Sequence, residues 1–182
     1  MTAIDADIAI RRISTDEARE RAAPLAHALA DVLIDCVEGG ASVSFMLPLA
    51  REKALEFWQG VLQAAARKER VLLVAETAAG RILGTVQLIT AQPDNQPHRA
   101  DVAKMLVHRD ARRRGLAAQL MAAVEQAARA EAKTVLVLDT VTGGDAERLY
   151  QRAGWHAVGT VPNFALMPDG AYCGTTFFHK QI

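Results

Sequence analysis

Met105-Leu106-Val107-His108-Arg109-Asp110-Ala111-Arg112-Arg113-Arg114-Gly115-Leu116-Ala117-Ala118 decides how the rest of the chain is read. An apolar run enters a tight turn rich in arginine, and the turn opens an alanine-rich segment with helical spacing. In that segment Leu116, Leu120 and Val124 share one face, while Gln119, Gln126 and Arg129 lie elsewhere. A helix that starts here presents unpaired backbone N–H groups and a partial positive charge, which suits a phosphate or pyrophosphate. Gly115 and Ala117 are small where a ligand would approach the backbone, and Arg112, Arg113 and Arg114 add positive charge. The turn has neither the GxxxxGK of a triphosphate loop nor the GxGxxG of a dinucleotide site. A solvated helix start or a nucleic-acid patch is the plainer alternative.

Working outward, the pattern alternates between strands and helices. Upstream, Ile8–Ile13 forms a short opening strand, and a helical pattern follows to about Val37, with a start near Ala23 or a kink there because of Pro24. Glu38-Gly39-Gly40-Ala41-Ser42 ends it. A second helix runs from about Ala50 to Arg67. Val71–Glu76 and Ile82–Thr90, joined by Ala78-Ala79-Gly80, read as an antiparallel hairpin, and Ala100–His108 is a third strand. Downstream, Thr134–Leu138 is nearly all apolar, as in a strand buried on both faces. A short helix over Asp145–Arg152 stops at Gly154. Strands near Trp155–Val161 and Tyr172–Lys180 flank a loop at Pro168-Asp169-Gly170. The order predicts an α/β fold with a mixed sheet flanked by helices on both faces, in one domain spanning 1–182.

Composition excludes several classes. Hydrophobic residues make up 51% and charged residues 23%, a globular profile. Lys plus Arg and Asp plus Glu both number 21, so no overall basic character draws the chain to nucleic acid. Met1–Asp7 lacks the features of a secretion signal, and no apolar run approaches the roughly 18–20 residues that span a membrane. Cys36 and Cys173 are far apart with no CxxC, and His27, His98, His108, His156 and His179 have no metal-ligand spacing, so buried thiols and no metal are expected. A cytoplasmic protein is the default expectation.

Two separated segments then carry a resemblance. Arg112-x-x-Gly115-x-Ala117 after the strand Met105-x-Val107 resembles the coenzyme A signature of the Gcn5-related N-acetyltransferase (GNAT) family, (Arg/Gln)-x-x-Gly-x-(Gly/Ala). Leu136–Thr140 and Ala146-x-x-Leu149-Tyr150-x-x-x-Gly154-Trp155 resemble that family's next strand and helix. Val37–Met46, Leu138-Asp139-Thr140 and Pro168-Asp169-Gly170 are similar to the branch that contains tabtoxin-resistance acetyltransferases.

The resemblance implies a mostly antiparallel sheet and an acetyl-CoA-dependent transfer to an amine of a small molecule, of which an antibiotic-like toxin of the tabtoxinine-β-lactam type is one case. Protein N-terminal or lysine acetylation, or a non-catalytic acyl-CoA sensor, stays open. The implied coenzyme site is Met105, Leu106 and Val107 on the strand, with Arg112, Arg113, Arg114, Gly115, Leu116, Ala117 and Ala118 on the turn. The Val107 N–H would face the thioester oxygen.

Tyr150 is the implied general acid, with helix packing as its plainer role. Asp101 and Asp139 are each a base, an anchor for the substrate ammonium, or a strand cap. Glu38, Ser42 and Ser44 would line the acceptor site unless Gly39-Gly40 is only a helix terminator. Two positions depart from the family: Gly143 stands where asparagine is usual, and Arg109 where proline is frequent. Dimers are common in the family, so a homodimer is compatible with the sequence, but no interface is legible.

Overall fold

The computed structural model describes residues 8–182; the reading of Met1–Asp7 lies outside them. The elements are β1 (Ile8–Arg12), α1 (Thr15–Glu20), α2 (Ala22–Glu38), α3 (Arg51–Ala66), β2 (Arg70–Thr77), β3 (Ile82–Ile89), β4 (Arg99–Val107), α4 (Leu116–Ala130), β5 (Val135–Val141), α5 (Asp145–Arg152), β6 (His156–Leu166) and β7 (Tyr172–Gln181). Seven strands form one sheet in the order β1-β2-β3-β4-β5-β7-β6. Every neighbouring pair is antiparallel except β4 and β5. The fold is therefore α/β with a mixed, mostly antiparallel sheet between helices. None of the described helices is long and apolar enough to cross a membrane.

Two apolar clusters hold the layers. On one face α1–α3 bury Leu29, Leu33, Trp58 and Leu62 against Leu72, Val74 and Leu106. On the other, Leu116, Leu120 and Val124 of α4 pack on Val71, Leu73, Val86 and Leu136, as their spacing requires. Pro24 is the third residue of α2, in the first turn, where its missing N–H leaves no bond unmade. Gly40, at φ 86°, closes α2: Ala41 N–H donates to Cys36 O at 2.9 Å and Gly40 N–H to Val37 O at 2.9 Å.

Two expectations need correction. β5 is buried on one face only: Leu136 and Leu138 are covered, whereas Val137 is half-buried and Asp139 exposed. Its apolar run reflects β propensity as much as burial, because the helices of the α1–α3 layer pack over β2, β3 and β4. β6 continues five residues beyond Val161, through Pro162. It is an edge strand, where proline's missing donor is tolerated. The pairing with β7 slips between Val161 and Ala165, with Asn163 at φ 52°.

Candidate active site

β4 and β5 pair only over Arg99↔Val135, Ala100↔Leu136 and Asp101↔Val137. Beyond that foot the two strands part, so the rest of β4 has no backbone partner on its β5 side among the described residues. β4 also carries a bulge. Its pairing with β3 jumps from Gln87↔Ala103 to Thr85↔Leu106, setting Lys104 and Met105 opposite Val86 alone, and Lys104 adopts φ 51°. The extra residue reverses the alternation of side chains: Ala100 and Val102 face α4 before it, and Met105 and Val107 do so after it.

The backbone at the open end follows from strand geometry. His108 N–H donates to Leu83 O at 2.9 Å, toward β3, so the N–H groups of Val107 and Met105 point the other way, into the opening. Gly84 lets the strands close on that side; a Cβ there would lie 3.0 Å from Leu106 O and 3.2 Å from a Leu120 methyl. The Val107 carbonyl is already used, accepting from Arg112 Nε at 3.3 Å and from the Cys36 thiol at 3.5 Å. Burial pushes the Cys36 pKa up despite Arg112 nearby, so it stays a thiol.

The turn from β4 to α4 is pinned from behind. Asp35, buried near the end of α2, accepts from the Arg109 backbone N–H at 2.8 Å and from the Arg109 guanidinium. Arg109 thus does more than occupy the turn; it ties the turn to α2, and its guanidinium also lies 3.8 Å from Glu38. Arg113 at φ 60° and Gly115 at φ 75° bend the backbone before α4, a conformation that gathers N–H groups on a concave side. The N–H groups of Leu116, Ala117 and Ala118 have no acceptor among the described residues. Arg112, Arg113 and Arg114 are all exposed, and the Arg112 guanidinium donates back to Val107 O.

Across the opening stands α5. Tyr150 is 6% exposed, against Trp155 and Phe178 with ring centroids 6.2 and 6.1 Å away. The Tyr–x₃–Gly–Trp spacing has a local cause. Gly154 at φ 78° ends α5, so that Trp155 N–H reaches back to Tyr150 O at 3.0 Å and Gly154 N–H to Gln151 O at 3.1 Å. Burial, helped by the Asp139 charge, raises the Tyr150 pKa far above the ordinary phenol value, so the hydroxyl keeps its proton. At the start of α5, Glu147 accepts from Gly143 N–H and Arg148 donates to Gly143 O at 2.9 Å. The position where the family usually has asparagine is thus occupied by local capping contacts.

The remaining sequence candidates fall in three places. Asp101 sits at the foot of the opening, ion-paired to Arg99 and accepting from Gln92 at 3.0 Å. Asp139 is higher on β5, exposed, and its charge acts on both Tyr150 and Lys104. The loop 39–50 crosses toward the β6–β7 tip, where Ser42 donates to Leu166 O at 2.8 Å and Leu47 N–H to Pro168 O at 2.9 Å. Ser44, at φ 77°, accepts from Lys104 Nζ at 3.1 Å.

Sequence reading missed Asp35 and Lys104. Asp35 looked like any polar residue on a helix. Nothing in Val102-Ala103-Lys104-Met105 announces a bulge.

Known proteins share this fold. The profile of the acetyltransferase (GNAT) family matches residues 38–155. An uncharacterized N-acetyltransferase encoded in the hisH–hisA intergenic region of Azospirillum brasilense is 36% identical over 135 residues, covering 73% of this chain and 75% of its own. Among solved structures, yncA of Salmonella typhimurium, determined with its cofactor acetyl-CoA, superposes with a TM-score of 0.73 at 17% identity, covering 97% of this chain and 94% of that one. A ribosomal-protein-alanine N-acetyltransferase from Brucella melitensis gives 0.73 at 22% identity, over 96% and 99%. At such identities the structural likeness speaks for the fold, whereas the profile and the Azospirillum relative speak for descent: the chain belongs to the GNAT family and is an N-acetyltransferase.

Proposed function

We propose that the enzyme takes an acetyl group from acetyl-coenzyme A and transfers it to an amine of a small molecule, with antibiotic-like toxins of the tabtoxinine-β-lactam type among the candidate acceptors. The observation that carries this reading is the parting of β4 from β5 beyond Asp101, next to the free N–H groups that open α4. That pair of features fits the group in two parts. The unpaired side of Met105–Val107 matches the amides of a pantetheine arm, and Arg113–Ala118 match a pyrophosphate. Bound there, acetyl-coenzyme A supplies a thioester carbonyl to which a neutral amine can add, with coenzyme A leaving as its thiol.

The chain's own residues have distinct tasks in that reading. Val107 N–H, fixed by the bulge and by the Asp35–Arg109 anchor, donates where negative charge gathers on the acetyl oxygen. Asp139 faces the acceptor's ammonium, whose reference pKa lies near 10, and either holds it or takes its proton. Asp101, occupied by Arg99, shapes the foot of the cleft. Tyr150 presents its hydroxyl to the departing sulfur. A phenol held well above 10 cannot fully protonate a thiolate whose reference value is about 8.5, so Tyr150 acts by hydrogen bonding. The bridge from loop 39–50 to the β6–β7 tip supports a small acceptor over a polypeptide, which needs an open groove.

Thermal unfolding with and without acetyl-coenzyme A is the direct test. Ligand at 100 times its Kd stabilises the folded state by about 2.7 kcal/mol, or roughly 5–10 °C at this chain length. Thiol release is then followed against a panel of amines. No shift at any concentration would refute the donor site.

A further inference from the structure

Two cations on the α1–α3 face of the sheet lack a carboxylate partner among the described residues. Lys104 donates to Ser44 Oγ at 3.1 Å and stands 5.8 Å above the Phe57 ring, and among the described residues no carboxylate comes within ion-pair distance of it. Arg70, at the start of β2, is half-buried, and its guanidinium donates to Gln87 Oε1 at 2.7 Å. It too has no ion pair among the described residues. Arg99 on the same side is committed to Asp101, and Glu69 beside Arg70 is committed to Arg67, at 2.7 Å.

Between the two cations lies an unused donor. Gln87 is fully buried, and its orientation is fixed because its oxygen faces Arg70. Its amide nitrogen has no acceptor among the described residues. Gln87 sits across from Ala103, the neighbour of Lys104, so all three groups belong to one patch. A buried amide donor without a partner is costly, and so is a half-buried ammonium without a counter-ion. Burial accordingly pushes the Lys104 pKa down; Asp139 opposes that shift and Arg70 adds to it.

From this we infer that Lys104 is a specificity residue for the acceptor, which carries an oxyanion such as a carboxylate on the same small molecule as the amine. The inference rests on the acetyl-transfer reading above. Lys104 Nζ and Arg70 attract the oxyanion, with the Gln87 amide as a further donor, while Asp139 on the facing strand receives the ammonium. The acceptor is thus a zwitterion of the amino-acid class. Because Lys104 stands on the bulge that also orients Val107, holding the anion sets the amine against the thioester end of β4.

The test compares α-, β- and γ-amino acids with their methyl esters and decarboxylated amines, read as kcat/KM for thiol release. Free acids should exceed their esters by about 10²-fold, the size expected when a site built for a charge meets an analogue lacking it. In Lys104→Gln that ratio should fall below about 10, mainly through KM, and Lys104→Arg should retain most of it. Equal turnover of acids, esters and decarboxylated amines overturns the inference, as does an acid preference that survives intact in Lys104→Gln. Should no amine release thiol, the transfer reading fails instead, and thermal unfolding with the same pairs decides the anion site. A rise specific to acids and lost in Lys104→Gln upholds the site; equal shifts for acid and ester overturn it.

Discussion

The two halves of the proposed site, donor and acceptor, are built by opposite means. The donor half is backbone: Met105 and Val107 offer N–H groups to the opening, and the start of α4 offers more, from one continuous stretch of fourteen residues. The proposed acceptor half is side chains: Ser44, Phe57, Arg70, Gln87, Lys104 and Asp139 arrive from the loop after α2, α3, β2, β3, β4 and β5. A backbone site depends on local conformation rather than on side-chain identity, so its ligand stays the same while most side chains vary, the left-handed positions Arg113 and Gly115 apart. A side-chain site can change its ligand one residue at a time without disturbing the strands beneath.

The sharpest way to break the donor half is at Gly115. It caps α4 at φ 75°, and the space where a Cβ would point is open, with only Gln119 Nε2 at 4.0 Å. Gly115→Glu therefore fits sterically but adds backbone strain and places a carboxylate where anionic phosphates are proposed to sit. The expected outcome is at least a 10²-fold rise in the Kd for acetyl-coenzyme A, measured by calorimetry, with the fold retained on circular dichroism. Ordinary affinity in that variant would sink the pyrophosphate assignment.

A smaller effect is expected at Tyr150, which stands at the border between the halves. Tyr150→Phe keeps the packing on Trp155 and Phe178 and removes only the hydroxyl. A hydrogen bond to a charged group is worth about 1.5–3 kcal/mol, so kcat should drop about 10–10²-fold with KM for the donor unchanged. Because the wild-type phenol ionises well above pH 10, Tyr150 should contribute no alkaline limb to the kcat profile between pH 6 and 9. Unchanged turnover would reduce Tyr150 to a packing residue.

The same division explains what was legible in the sequence. The Arg112–Ala117 signature and the Tyr150–Gly154–Trp155 spacing are readable because each encodes a local backbone event, a left-handed turn before a helix and a Gly-terminated helix end. The β2–β3 hairpin and the face of α4 follow from periodicity for the same reason. Asp35 and Lys104 were not readable. The first acts on Arg109, 74 positions away, and the second owes its direction to a bulge in a strand that looks regular. The end of β6 is not legible either: proline ordinarily stops a strand, and only position at the sheet edge lets β6 run through Pro162 to Leu166.

The smallest expected effect concerns stability, and it tests whether the acceptor half is held at a cost. Lys104 combines a left-handed backbone with a desolvated ammonium, facing Arg70 and opposed only by Asp139. Its pKa in the folded state is lowered, so the unfolded chain binds that proton more readily at neutral pH, and folding is disfavoured there. The penalty is fully present below the folded-state pKa and disappears as pH rises past the unfolded value near 10.4. Lys104→Met keeps the length and apolar stem while removing the charge. It should therefore raise Tm at pH 7 by a few degrees at most, since about 1 kcal/mol corresponds to roughly 2–4 °C in a chain of this size. The gain should shrink toward pH 10. A gain in Tm is what the proposed anion-holding role of Lys104 predicts, whereas a Lys104 that merely packs on Phe57 and Ser44 would lower Tm when replaced.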